Sequence, residues 1–215
     1  MQNTHVLLMG GSDSTYHDFS VLLPLLGGFL REHGLVVTTS TDPDLFLPEN
    51  IRRFDLVLCC TFGHTLTAEQ EAGLLDAVQG DPWDESAKLK GFLGLHGAAG
   101  SFLNSEGYLR MLGGKFLVHP PLDTLEVNIC RPDHPVMEGV SDFSIEDELY
   151  LIETYAPFKT LAAVDYGGFS RPVVWVKPYG LGRVVYLSLG HGEKQLKNQS
   201  FQQILINAVR WILDP

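Results

Sequence analysis

Short apolar runs alternate with longer stretches of helical periodicity along the first half of the chain. His5–Met9 (HVLLM) reads as a buried strand, followed by a polar loop rich in Gly, Ser and Asp from Gly10 to Tyr16. Phe19, Leu22, Leu23, Leu26, Phe29 and Leu30 then share one stripe. That spacing predicts a helix capped by Asp18 or Ser20, bent at Pro24 and ended by His33-Gly34. Leu35–Thr39 predicts a second strand, Asp55–Cys60 a third and Gly91–Leu95 a fourth. The third, DLVLCC, is almost wholly apolar, as central parallel strands tend to be. Thr67 with Gln70 makes a capping box for a helix through Val78, and Ser101 is expected to start another helix. Gly80–Lys88 is polar and reads as an exposed loop.

The second half has a different texture. Leu125–Cys130 alternates, Thr160–Val164 is short and apolar, and Pro172–Lys177 and Arg183–Leu189 flank the hairpin turn PYGLG. Phe201, Ile204, Leu205, Ala208, Val209 and Ile212 predict a final amphipathic helix, with Ser200 and Gln203 as its capping box. There is no repeat, low-complexity tract or linker, so one domain over residues 1–215 is the economical reading. The β-α-β rhythm predicts an α/β fold, a mainly parallel sheet with helices on both faces.

Composition narrows the function classes. The net charge of −11 argues against nucleic acid and against an anionic membrane surface. No apolar run approaches the ~18 residues of a membrane span. The N-terminus lacks a basic segment followed by an apolar one, so no signal peptide is expected. Three cysteines, two of them adjacent at Cys59 and Cys60, fit the reducing cytoplasm better than a disulfide framework.

Candidate chemistry follows from where the strands end, because open parallel sheets bind ligands beyond the carboxyl ends of their strands. Tyr16, His17 and Asp18 follow the first strand, and Thr61-Phe62-Gly63-His64 the third. His96 follows the fourth, and Gly190-His191-Gly192 the last. A single loop histidine is usually a surface residue or a satisfied hydrogen-bonding group. Four at strand ends in glycine-rich loops point jointly to a site. The stretch GLHGAAG (Gly94–Gly100) has the shape of a strand-turn-helix corner that elsewhere holds a nucleophilic Ser or Cys, and here that position is His96. Cys59 and Cys60 read as small buried hydrophobes, Trp175 as core, Arg183 as surface, and His119-Pro120 and His134-Pro135 as turns. Glu146-Asp147-Glu148 reads as a solvated run, although its apolar flanks Phe143, Ile145, Leu149 and Tyr150 would turn part of it inward.

An ordered set of motifs resembles the ThuA-like (trehalose-utilisation) family. They are Gly11 with Tyr16-His17-Asp18; Gly94-Leu95-His96-Gly97-Ala98; Gly113-Gly114-Lys115-Phe116 with His119-Pro120; His134-Pro135-Val136 and Gly139; Asp147-Glu148-Leu149-Tyr150; and Gly180–Val184 through Gly190-His191. The resemblance covers nearly the whole chain. It implies a flavodoxin-like three-layer sandwich with an added hairpin, related to class I glutamine amidotransferases. Those relatives place a catalytic Cys at the corner that here carries His96, so amidotransferase activity is not expected. The resemblance also implies a sugar substrate, such as a trehalose derivative or another 3-keto glycoside.

A 3-keto sugar has an acidified hydrogen at C2, and removing it calls for a base, an oxyanion stabiliser and an acid. His96, Glu148 and His17 are the candidate catalytic residues, for isomerisation or elimination. Tyr16, Asp18, Gly97, His64 and Tyr150 are the candidate substrate contacts. His17, His96 and His191 are candidate ligands for zinc or another divalent transition metal, with Glu148 as a further ligand or as the base. No nucleotide cofactor is expected. The rival readings are a non-catalytic sugar-binding protein and a metal-dependent glycoside hydrolase. The apolar helix faces suit a homo-oligomer and core packing equally.

Overall fold

The computed structural model describes residues 4–11, 15–84 and 89–214; parts of two expected loops, 12–14 and 85–88, lie outside them. The first half folds as its pattern predicts. Strand β1 (His5–Met9) leads through helix α1 (Phe19–Glu32) to β2 (Val36–Ser40). A short helix α2 (Pro48–Ile51) precedes β3 (Leu56–Cys59), and helix α3 (Ala68–Gln79) leads to β4 (Gly91–Leu95). Asp18 caps α1, and Thr67 and Gln70 form the expected reciprocal box at the start of α3.

Ser101 does not start a helix. Residues His96–Gly100 wind into a 3-10 turn, and helix α4 (Glu106–Leu112) begins five residues later with Ser105 as its cap. Strands β5 (Gly114–Val118), β6 (Asp123–Ile129), β7 (Phe143–Asp147), β8 (Leu151–Thr154), β9 (Lys159–Tyr166), β10 (Phe169–Tyr179) and β11 (Gly182–Leu187) follow. The chain closes with a short helix α5 (Glu193–Leu196) and helix α6 (Gln199–Leu213). The cap of α6 is Asn198, which accepts the Phe201 N–H, and not Ser200. Asn caps as well as Ser does, so the position nearer the true boundary wins.

Nine strands form one sheet in the order β2-β1-β3-β4-β11-β10-β9-β6-β7, while β5 and β8 pair separately. From β2 to β11 every pairing is parallel; from β11 to β7 every pairing is antiparallel. The parallel half has the doubly wound 2-1-3-4-5 order. The expected added hairpin is β10-β11, but it is no appendage: β11 completes the parallel half and β10 begins the antiparallel one.

Alternation along the strands builds two cores. Val6, Leu8, Leu56, Leu58, Leu93 and Leu95 face α1 and α6, while Leu7, Met9, Val57, Cys59 and Phe92 face α3 and α4. Trp175 of β10 is fully buried in the second core and donates to the Leu112 carbonyl at 2.8 Å. No helix among the described residues is long and apolar enough to cross a membrane.

Candidate functional site

Three histidines converge beyond the carboxyl ends of the parallel strands. His17 lies just before α1, His96 follows β4 directly, and His191 follows β11 by four residues. Their ring centroids form a near-equilateral triangle: 5.3 Å from His17 to His96, 5.0 Å from His17 to His191 and 5.2 Å from His96 to His191. Each presents a nitrogen within 4.8 Å of the others.

His96 is held in an unusual backbone state. Its φ is +42°, in the left-handed region that side chains with a Cβ rarely adopt. Such strain persists only where the surroundings over-determine it. Here the Tyr186 hydroxyl donates to the His96 carbonyl at 2.7 Å, and the Tyr108 hydroxyl donates to the Ala98 carbonyl at 2.9 Å. Gly97 leaves no room for a side chain, since a Cβ would fall 2.8 Å from the Thr61 carbonyl oxygen. The His96 ring is oriented as firmly as its backbone. Its Nδ1 lies 2.7 Å from the Ser188 carbonyl, which can only accept, so Nδ1 carries a proton and Nε2 faces the cluster.

A carboxylate completes the group from the other half of the sheet. Glu148 stands immediately after β7, with Oε2 3.5 Å from His96 Nε2 and 3.2 Å from His191 Nδ1. Its Oε1 is 3.6 Å from His119 Nε2. Burial alone would raise the Glu148 pKa, but the His96 hydrogen bond and the His191, His96 and His119 charges outweigh it and hold the carboxyl below its ordinary value. His191 moves down as well, first through burial and then through His96. The His96 Nε2 and His191 Nδ1 atoms are 3.2 Å apart.

The neighbouring Asp147 is fully buried. It accepts the Gly190 N–H at 2.7 Å, the Glu148 N–H at 2.8 Å and, at 3.4 Å, the His191 N–H. One side chain of β7 thus pins both the loop that carries His191 and the backbone of Glu148. Gly190 can follow this path because its φ is +108°. Burial raises the Asp147 pKa against the opposing pull of His96 and these three donors.

An aromatic wall borders the cluster. Tyr150 lies 4.1 Å from the His96 ring and 4.2 Å from Phe116, and Phe62 lies 5.2 Å from His17. Tyr16 continues it outward, 6.2 Å from Phe62, with 65% of its surface exposed.

The sequence matches the family model described as ThuA, trehalose utilisation, over residues 5–212. The chain belongs to this family. No curated protein matches it. Among solved structures, it resembles a ThuA-like protein from Parabacteroides merdae (TM-score 0.84, 18% identity, 99% of this chain and 91% of that one). It also resembles one from Bacteroides uniformis (TM-score 0.77, 18% identity, 98% and 91%). A cold-adapted β-galactosidase from Rahnella sp. R3 shares the fold over all of this chain and 32% of its own, with TM-score 0.69 and 14% identity.

In this ThuA protein the structure brings together His17, His96, His191, Glu148 and Tyr150, all expected from the sequence. It separates the others. The Asp18 carboxylate receives the Ser20 N–H and hydroxyl as the cap of α1. Gly97 is buried packing. His64 lies against Phe102 at 6.2 Å, outside the triangle. Arg183 binds the Trp211 and Asp214 carbonyls at the end of α6. The sequence reading missed His119, Asp147, Phe62 and Phe116 as parts of the site. His119 had a signal, since His119-Pro120 belongs to the family motifs, but read alone it is a turn.

Proposed function

We propose that this ThuA family member removes the C2 proton of a 3-keto glycoside or keto disaccharide and then isomerises the sugar or eliminates its glycosidic oxygen. One observation carries this reading: the Glu148 carboxylate stands 3.5 Å from His96 Nε2 and 3.2 Å from His191 Nδ1, beside an aromatic wall. A carboxylate placed there can accept a proton, and the ketone makes the C2 hydrogen acidic. As Glu148 takes that proton, charge grows on the former carbonyl oxygen, where His17 would stabilise it as a donor. Tyr16, Tyr150 and Phe116 would receive the apolar face of the ring, with Phe62 beside them.

We read the fold as amidotransferase-like in its details, with the left-handed residue at the β4 corner in the place of the nucleophile elbow. An imidazole there leaves amide transfer without its thiol. Cys59 and Cys60 do not replace it, since both are buried and burial raises the Cys59 thiol to about 11.

The three imidazoles also fit a divalent transition metal. His17, His96 and His191, whose nitrogens lie within 4.8 Å of one another, would hold the ion, and the Ser188 carbonyl already orients the His96 ring. When bound, the ion would supply Lewis-acid stabilisation of developing negative charge. The same donor set favours a second reading, hydrolysis by activated water.

Proton NMR in deuterated water decides between them. Purified protein is mixed with 3-keto-trehalose, with and without added zinc. Loss or exchange of the C2 hydrogen that is absent in His96→Ala is the expected result. Cleavage of the glycosidic bond with the C2 signal intact would favour the hydrolase. Binding with no change at either position would leave a sugar-binding protein.

A further inference from the structure

We propose that a cavity between β6 and β9 is a subsite for the second, unphosphorylated glycosyl unit of a disaccharide; this deepens the keto-disaccharide reading and rests on it. The β6–β9 ladder runs from the Ile129–Ala162 pair only as far as Val127–Val164. Beyond that pair the two strands no longer bond to each other. β6 continues to Asp123 paired with β7 alone, and β9 continues to Tyr166 paired with β10 alone. The sheet forks there, and a cavity of about 600 Å³ is lined by both strands. That volume suits a small-molecule ligand.

The walls of the fork have the chemistry of a sugar site. Tyr166 offers a ring face and a hydroxyl, Asn128 a donor and an acceptor, and Asp165 acceptors alone. All three are exposed, and none makes a side-chain hydrogen bond within the described residues. A sugar presents the matching pattern, with hydroxyls that donate and accept and an apolar C–H face. Glu126 and Asp165 bring negative charge, and the described lining contains no Lys, Arg or His, so the local field opposes a phosphorylated ligand. Position ties the fork to the cluster. Pro120 and Leu149 line the cavity, and they directly follow His119 and Glu148, which face each other in the cluster. On both segments the backbone step from cluster to cavity is one residue, about 3.8 Å. A keto ring held at Glu148 thus has the fork beside it for the ring across its glycosidic bond.

The test compares wild type, Tyr166→Ala and Asn128→Ala on two substrates, 3-keto-trehalose and methyl 3-keto-glucoside, which lacks the second ring. KM for 3-keto-trehalose is expected to rise about 5–10-fold in Tyr166→Ala and about 3–5-fold in Asn128→Ala. The kcat of both variants, and their KM for the methyl glycoside, are expected to stay at the wild-type value. Equal changes on the two substrates, or no change on either, would overturn the subsite and leave the catalytic reading standing. A binding measurement needs no turnover. In ¹⁵N-labelled wild type, unmodified trehalose is expected to shift the Asp165 and Tyr166 amides, and Tyr166→Ala to weaken that binding. If those shifts occur while neither keto sugar reacts, the subsite stands and the catalytic reading falls. Trehalose that binds without moving these amides overturns the subsite, as does trehalose 6-phosphate moving them as strongly as trehalose.

Discussion

The two halves of the sheet contribute opposite chemistry to one place. The parallel half, β2 to β11, supplies the imidazoles of His17, His96 and His191 from loops at its strand ends. The antiparallel half supplies carboxylates, with Asp147 ending β7 and Glu148 following it, and the separate pair β5-β8 is flanked by His119 and Tyr150. Acid and base groups therefore meet only when both halves are assembled. The general rule for open sheets locates half of this site and is silent about the other half.

Glu148→Gln should break the comparison most sharply. It keeps the shape of the side chain and removes its basicity, so turnover on a keto glycoside should fall by about 10²–10⁴-fold. The melting temperature should hardly move. A large loss of stability alongside the loss of rate would mean that Glu148 holds the halves together instead of working between them.

Trp175→Ala attacks the seam itself. The ring is fully buried on β10, stacked 4.4 Å from Phe158 and tilted 4.3 Å from Tyr186, whose hydroxyl holds the His96 carbonyl. Removing it should cost about 3–5 kcal/mol in urea unfolding. Activity per folded molecule should drop too, because Tyr186 loses its support.

Asp147→Ala tests the strap between the halves. It strands the Gly190 and Glu148 N–H groups and frees the His191 loop, at a cost of about 1–3 kcal/mol. Asp147→Asn retains an acceptor and should lose less. Equal losses in both variants would show that charge, not hydrogen bonding, does the fastening.

The smallest effect lies away from the site and depends on pH. His134 Nδ1 accepts the Val136 N–H at 3.2 Å, which requires the neutral ring. Burial first, then Lys159, holds its pKa below the ordinary 6.5, against the pull of Asp133. A lowered folded-state pKa gives stability that is complete above 6.5 and lost as pH falls through the folded value. Melting curves from about pH 7.5 to about 5.5 should show this decline superimposed on the other carboxylate and histidine titrations. The slope should flatten in His134→Asn, whose side chain caps at either pH.

How much was legible follows the same division. The strands β1, β3 and β4 and the helices α1, α3 and α6 carry full periodic stripes, so their existence was readable. So was the convergence of His17, His96 and His191, which depends only on parallel strands ending at one edge. β5, β7 and β8 are short, partly exposed strands whose pairing is decided by distant partners. With them went His119 and Phe116. Asp147 and Glu148 illustrate the limit best: adjacent in an acidic run, one accepts backbone N–H groups at the end of β7 and the other, just past that strand, faces the cluster. Thr67 and Gln70 were read correctly because a capping box is local, whereas the Asn198 cap lies one turn boundary from the residues that mimic it.

The burial of Cys59 and Cys60 also makes the molecule its own reporter. Both thiols sit inside the parallel half with raised pKa values, while Cys130 lies exposed beyond the end of β6. A thiol reagent should therefore mark the exposed Cys130 first on the native protein and reach the other two only when the central strands part. The rate of that second labelling is a clock on how often the frame beneath the histidines opens.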